Sequence, residues 1–251
     1  MGKRGLDIVV AATALVVLSP LIACIALAIV LESRGPVFYR AVRVGHRARP
    51  LRMLKFRKMH PGATGAPLTA RQDERFTRIG RLLGKSKLDE LPQLWHVLRG
   101  EMSLIGPRPE DPAFVALHAE EYEHILAVRP GVSGLTQLAF VDERRILSQD
   151  DPMSHYVERL LPQKCAIDGL YASQAGLRTD LRILAWTVVA VVLRQPVAVH
   201  RATGATSLRR RPPVSEPAPV PALPGSGSIT LTAEAVEPPT RTAADLGAPV
   251  R

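Results

Sequence analysis

From Ile8 to Leu31 the sequence runs for 24 residues without a charged side chain, and Ser19-Pro20 interrupts it near the middle. A continuous helix of that length reaches across a bilayer. Proline removes a backbone donor and clashes with the preceding turn, so a kink or a break is expected at Pro20. If the helix breaks, each half is roughly 17 Å long, short of a hydrocarbon core of about 30 Å. The Ser19 hydroxyl is placed to satisfy part of the freed backbone. Three readings remain: a kinked span, a hairpin that dips into the membrane and returns, and a cleaved signal. The run is too long for a typical signal core, and no small-residue cleavage site follows it.

The flanking charges favour the hairpin. Lys3 and Arg4 precede the run. Arg34, Arg40, Arg43, Arg47, Arg49, Arg52, Lys55, Arg57 and Lys58 follow it, with no acid between Arg34 and Lys58. Positive flanks stay on the cytoplasmic side. A single crossing cannot keep both there, whereas a helix that enters and leaves by one face can. With a net charge of +10, the chain as a whole is suited to anionic partners such as phosphorylated substrates, a membrane surface or nucleic acid. Only 4% of its residues are aromatic, and no zinc-finger or RNA-binding signature is present, so nucleic acid is the weakest of these. Cys24 and Cys165 have no metal-ligand spacing and suit a reducing compartment.

Val37 to Gly45 alternates apolar and basic residues, and Leu51 to Met59 reads as the returning strand of a hairpin turned at Gly45 to Pro50. His60 to Ala70 reads as a loop. In the helical segment that follows, Phe76, Ile79, Leu82 and Leu83 have core spacing. Lys85 to Pro109 then carries the chemistry: KSKLDELPQLWHVLRGEMSLIGPRP. Adjacent acids such as Asp89-Glu90 are usually a solvated helix start. A carboxylate can nonetheless attack phosphorus when cations hold the leaving group, and magnesium favours one or two carboxylates plus substrate phosphates. Arg108 offers a planar fork for phosphate between Pro107 and Pro109, which stiffen its backbone.

This stretch closely resembles the signature of the bacterial sugar transferases, the monotopic polyprenyl-phosphate phosphoglycosyl transferases. The resemblance extends from about Lys3 to about Val192 and includes Lys55-Phe56-Arg57, Arg129-Pro130-Gly131-Val132-Ser133-Gly134, Tyr156-Val157 and Asp180-Leu181. It implies a re-entrant membrane helix broken at Ser19-Pro20. It also implies transfer of a sugar phosphate from a UDP-sugar to a polyprenyl phosphate such as undecaprenyl phosphate, with UMP leaving. By the same resemblance Asp89 is the nucleophile, Glu90 helps hold Mg2+, and Arg108, Lys55 and Arg57 contact substrate, with Pro107, Pro109 and Lys85 beside them. Two positions depart from the family pattern. Gly84 stands where arginine is usual and Lys87 where serine is usual, so Arg81, Lys85 or Lys87 is left to supply the charge. His96 stands where asparagine is common and reads as a packed helix histidine.

Asp111 to Ala127, Met153 to Ser173 and Thr179 to Arg194 read as helices. The last is strongly apolar but too short to span, and it fits either the core or the membrane interface with Trp186 at headgroup level. The glycines after Arg129 permit a tight turn and close backbone approach, and the family resemblance implies that this element walls the site. Nine of the chain's 22 prolines fall after residue 211, among Gly, Ser, Ala and Thr, a composition that cannot bury a core.

The expected fold is mainly α with a small β-hairpin. Residues 1–33 form the re-entrant hairpin, 34–200 a cytoplasmic globular domain, and 201–251 a disordered tail. The expected location is the cytoplasmic face of the bacterial inner membrane, among membrane lipids. A non-catalytic scaffold that binds anionic lipid through the basic face is the competing reading. Homo-oligomerisation and the identity of the sugar are left open.

Overall fold

The computed structural model describes residues 2–65, 73–141, 151–191 and 193–208. Its first two helices, α1 (Gly2–Val17) and α2 (Ser19–Glu32), meet at Leu18 with a bend of 59°. Pro20 falls in the first turn of α2, where its missing N–H costs no helical bond. The Ser19 hydroxyl donates to Val16 O at 2.8 Å. The halves are about 24 and 21 Å long at 1.5 Å per residue, and no single described helix is long and apolar enough to cross a membrane.

Both outer ends of this bent pair are tied to the globular body. Lys3 pairs with Asp180 at 2.6 Å and donates to Ile105 O and the Tyr171 hydroxyl. Arg4 donates to Val97 O and Leu98 O, and buried Asp7 accepts from Ser103 Oγ and Leu104 N. Lys3 and Arg4, the positive residues that precede the apolar run, are therefore engaged by the fold. At the other end, Arg57 donates to Ser33 O at 2.6 Å and to Ser33 Oγ at 2.9 Å, with longer contacts to Ile29 O and Arg34 O. Between these anchors, Val9, Val16, Val17, Leu27 and Leu31 stand well exposed.

Strands β1 (Phe38–Val44) and β2 (Pro50–Phe56) form the expected antiparallel hairpin, with Ala41 opposite Met53 and Tyr39 opposite Lys55. Thr77 caps α3 (Arg78–Ser86) by accepting from Gly80 N, and Glu32 accepts from Arg78 N and Ile79 N. The end of α2 thus adjoins the start of α3. Ile25 and Ile29 of α2 share a core with Phe56 and Leu83. Leu82, expected in the core, is exposed: it stands about 100° round the helix from buried Leu83. A 3-10 turn (Leu88–Gln93) leads into α4 (Leu94–Arg99).

The segment from 103 to 139 departs furthest from expectation. β3 (Ser103–Ile105) pairs in parallel with β4 (Gly131–Ser133). The helix expected over 111–127 is two short ones, α5 (Pro112–Leu117) and α6 (Ala119–Ile125), separated by His118 in a non-helical conformation. After β4 come α7 (Leu135–Ala139), α8 (Pro152–His155), a π-helical turn (Tyr156–Leu160), α9 (Leu161–Ser173) and α10 (Leu177–Val191). α10 packs Ile183 and Trp186 into the main core with Ala11, Met53, Val97 and Ile167, while Leu177, Leu181, Val188 and Val191 remain exposed.

The final strands, β5 (Val197–Val199) and β6 (Thr206–Leu208), pair antiparallel, so the folded unit continues past residue 200, where the tail was expected to begin. The Pro-rich tail from 209 and part of the 60–70 loop lie outside the described residues.

Candidate active site

Lys55 reaches the site because strand side chains alternate between faces. Leu51, Met53 and Lys55 share one face of β2, and the first two fill the core. A lysine on that face needs a counter-charge, and Glu90 Oε1 supplies it at 2.9 Å. Arg108 Nη2 reaches the same oxygen at 3.2 Å. Asp89, only 2% exposed, turns the other way to meet Lys58 Nζ at 2.7 Å. The 3-10 turn makes this divergence possible, since its neighbouring residues stand about 120° apart. Lys87 starts that turn in the left-handed conformation, at φ 61° and ψ 10°. That backbone is strained for a lysine and recurs at functional turns.

Two carboxylates therefore face Lys55, Lys58, Lys87 and Arg108, which leaves an excess of two positive charges among these groups. Burial opposes the charge on Glu90, but Lys55, Arg108 and Lys87 outweigh it and hold its carboxyl far below the usual range. Burial also lowers the Lys55 ammonium, with Glu90 pulling it back up. Glu90 is thus ionised at any physiological pH.

The Gly106-Pro107-Arg108-Pro109 turn is sewn to β4. Gly106 N donates to Ser133 O at 2.9 Å, and Gly131 N donates to Pro107 O at 2.8 Å. A Cβ on Gly106 would lie 2.3 Å from Arg129 O, and one on Gly131 2.1 Å from Gly106 N, so the two strands approach this closely only as glycines. Behind them Asp168 accepts from the Thr136 hydroxyl and from the backbone N–H of Arg108. Burial pushes its carboxyl up to about 7 against the pull of Thr136, Lys164 and Arg108. Lys164 itself donates to the Tyr156 hydroxyl, which in turn donates to Glu110.

A cavity of about 210 Å³ opens beside Glu90, Lys87 and Arg108 and runs between β4, α7 and α10. Val132, Ser133 and Gln137 line it, in keeping with the expected wall after Arg129.

The structure thus brings together Asp89, Glu90, Lys55 and Arg108. It does not bring Arg57, whose guanidinium is buried against the end of α2, nor Lys85, which is exposed on α3. Arg57 lies beyond the end of β2, where the chain turns back toward Val37, and this points it at Ser33. Pro107 and Pro109 are buried supports of the turn. Of the three candidates for the charge missing at Gly84, Lys87 is the one beside Glu90. Gly84 itself is buried. His96 is packed as expected, accepting from Leu54 N and facing Glu101. Sequence reasoning missed Lys58 and Asp168. Lys58 follows Lys55 by three residues just past the strand, but only the packing of α3 shows where it points. No group of three or more His, Cys, Asp or Glu suited to a metal occurs among the described residues; the carboxylates beside the cations here are Asp89 and Glu90.

The model of the bacterial sugar transferase family matches residues 1–194, and the chain belongs to that family. It is 39% identical over 191 residues to the UDP-glucose:undecaprenyl-phosphate glucose-1-phosphate transferase of Caulobacter vibrioides, covering 74% of this chain and 68% of that protein. It is 44% identical over 161 residues to the UDP-N-acetylgalactosamine-undecaprenyl-phosphate N-acetylgalactosaminephosphotransferase of Aeromonas hydrophila, covering 59% of this chain and 38% of that one. The chain thus spans about two fifths of the Aeromonas relative's length. The exopolysaccharide production protein PSS of Rhizobium leguminosarum is 35% identical over 201 residues, covering 76% of this chain and 96% of that protein.

Proposed function

We propose that this chain transfers a sugar phosphate from a UDP-sugar to undecaprenyl phosphate through a covalent intermediate on Asp89. The observation that carries this is the divergent Asp89-Glu90 pair, each acid held by its own lysine beside Arg108. The names of the relatives supply the reaction class. Lys58 holds the buried Asp89 carboxylate in place at 2.7 Å. One of its oxygens forms a bond to the β-phosphorus of the donor while the bond from that phosphorus to UMP breaks and the electron pair leaves with UMP. The two surplus positive charges match a diphosphate, and Arg108 orients its oxygens.

Magnesium fits these residues on the terms this ion favours, one or two carboxylates plus substrate phosphates. Glu90 would hold it, and when bound it would offset charge on the departing phosphate. In the second half-reaction an acceptor phosphate oxygen bonds to the sugar's phosphorus, the bond to Asp89 breaks, and the carboxylate is restored.

The bent pair α1–α2 supports a re-entrant reading, because its two outer ends are tied to one body while its apolar side chains are exposed between them. In that reading the site works on the cytoplasmic face of the inner membrane. The test is UMP release by purified protein given magnesium, undecaprenyl phosphate and either UDP-glucose or UDP-N-acetylgalactosamine. Turnover is expected with at least one donor and is expected to vanish in Asp89→Asn. Full turnover by that folded variant would refute the reading, and no turnover with any UDP-sugar would leave the lipid-binding scaffold.

A further inference from the structure

The cavity beside Glu90 has a charged end and an otherwise mostly apolar lining, with Gln137, Lys164 and three hydroxyls set in it. Lys87, Glu90 and Arg108 stand at that end, while Leu94, Val132, Leu138, Phe140, Ala190 and Val191 form much of the remainder. Its wall hydroxyls have spent their protons on the protein. Thr136 donates to Asp168, Thr187 to Ile183 O at 2.8 Å, and Ser133 pairs with Thr187 at 2.7 Å. A sugar ring here would lose water from several hydroxyls and regain few partners beyond Gln137 Oε1, which is buried without a hydrogen bond, a costly exchange. On the far side the apolar lining continues to the surface: Val141 and Val191 are 41% and 45% exposed, and Val188, one turn back on α10, is 48% exposed. The volume of about 210 Å³ is below the roughly 300–1,000 Å³ that encloses a whole small molecule, so it takes one part of a longer ligand.

From this gradient we infer that the cavity is the subsite for the first isoprene units of the lipid acceptor. Its phosphate lies at Arg108 and Lys87, and its chain leaves past Val141 and Val191. The inference rests on the transferase reading and adds to it which walls recognise the acceptor. An amphipathic ligand matches both parts of the cavity at once: a phosphate meets the cations, and the adjoining hydrocarbon meets a lining that is mostly apolar.

Two substitutions test this. Ala190→Phe fills the cavity from α10, and Val191→Glu puts a charge at its exposed mouth, where folding is not at stake. Initial rates are measured with undecaprenyl phosphate varied at fixed donor and with the donor varied at fixed acceptor, using whichever of UDP-glucose and UDP-N-acetylgalactosamine turns over. The expected result is a rise of at least tenfold in the KM for undecaprenyl phosphate with the KM for the donor at its wild-type value. A raised donor KM, or no change in either, overturns the assignment. If Ala190→Phe does not fold, Val191→Glu decides by the same criterion. Absence of UMP release by the wild-type protein would instead count against the transferase reading itself.

Discussion

Gly80 controls how close α3 comes to the lysine that holds Asp89. A Cβ at this position would lie 1.9 Å from Lys58 O and 2.6 Å from its carbonyl carbon. Ordinary contact begins at 3.4 Å, so helix and strand must part by about 1.5 Å. That movement breaks the Thr77 N to Lys58 O bond, now 3.0 Å, and pulls Lys58 Nζ from its 2.7 Å contact with Asp89. Overpacking of this kind costs about 1–3 kcal/mol. In a domain of this size each kcal/mol lowers Tm by roughly 2–4 °C. A misplacement of about 1 Å at a reacting group reduces rate on the order of 100-fold. Gly80→Ala is therefore expected to lower Tm by about 2–12 °C in thermal unfolding and to lower kcat for UMP release by about two orders of magnitude. Gly169→Ala is the matched control, since nothing lies within 4 Å of the added Cβ. It should leave the rate unchanged and raise stability by about 0.5–1 kcal/mol. A Gly80→Ala protein with wild-type Tm and kcat would refute the idea that α3 sets the position of Lys58.

Arg57→Lys removes the fork that binds Ser33 O and Ser33 Oγ. With about 1.5–3 kcal/mol for each hydrogen bond to a charged group, stability should fall by about 3 kcal/mol or more in denaturant titration, while the KM of the folded fraction for its UDP-sugar holds. Lys55→Met, by contrast, should raise that KM at least tenfold, and equal effects of the two on KM would contradict the division of labour between Lys55 and Arg57. Asp168 gives a pH signature. Its carboxyl is raised from the ordinary 3.8 to about 7 in the folded protein, so between those values the folded state holds a proton that the unfolded chain has lost. Stability from this group is therefore lost as pH rises from about 4 to 7, by up to roughly 4 kcal/mol. Asp168→Asn has no such proton, so its Tm relative to wild type should improve between pH 5 and pH 8, and a difference that stays constant across that range would contradict it.

Much of the site was legible because its chemistry is local. Asp89, Glu90 and the Pro-Arg-Pro turn lie within one stretch, and the break at Ser19-Pro20 follows from proline alone. The β1–β2 hairpin was visible as alternation around a Gly-to-Pro turn. The parallel pairing of β3 with β4 was not, because strands of three residues carry no readable period and their partners are 28 positions apart. His118 splits the expected helix over 111–127 without any proline or glycine at the break. Charges were less legible, because burial decides their use. Lys3 and Arg4 flank the apolar run in the sequence, and their carbonyl and Asp180 partners emerge only once the chain is folded. Arg57, two residues past Lys55, looks like a second substrate contact and instead secures the end of α2. Lys58 became visible as the partner of Asp89 only after Gly80 allowed the close crossing.

The most direct measurement is the intact mass of the protein after incubation with magnesium and a UDP-sugar that supports turnover, with undecaprenyl phosphate withheld. The account predicts a new species heavier by one phosphosugar, mapped by peptide fragmentation to Asp89 and consumed when undecaprenyl phosphate is added. Steady product formation by the same preparation, with no adduct on Asp89 at any time point, would contradict it.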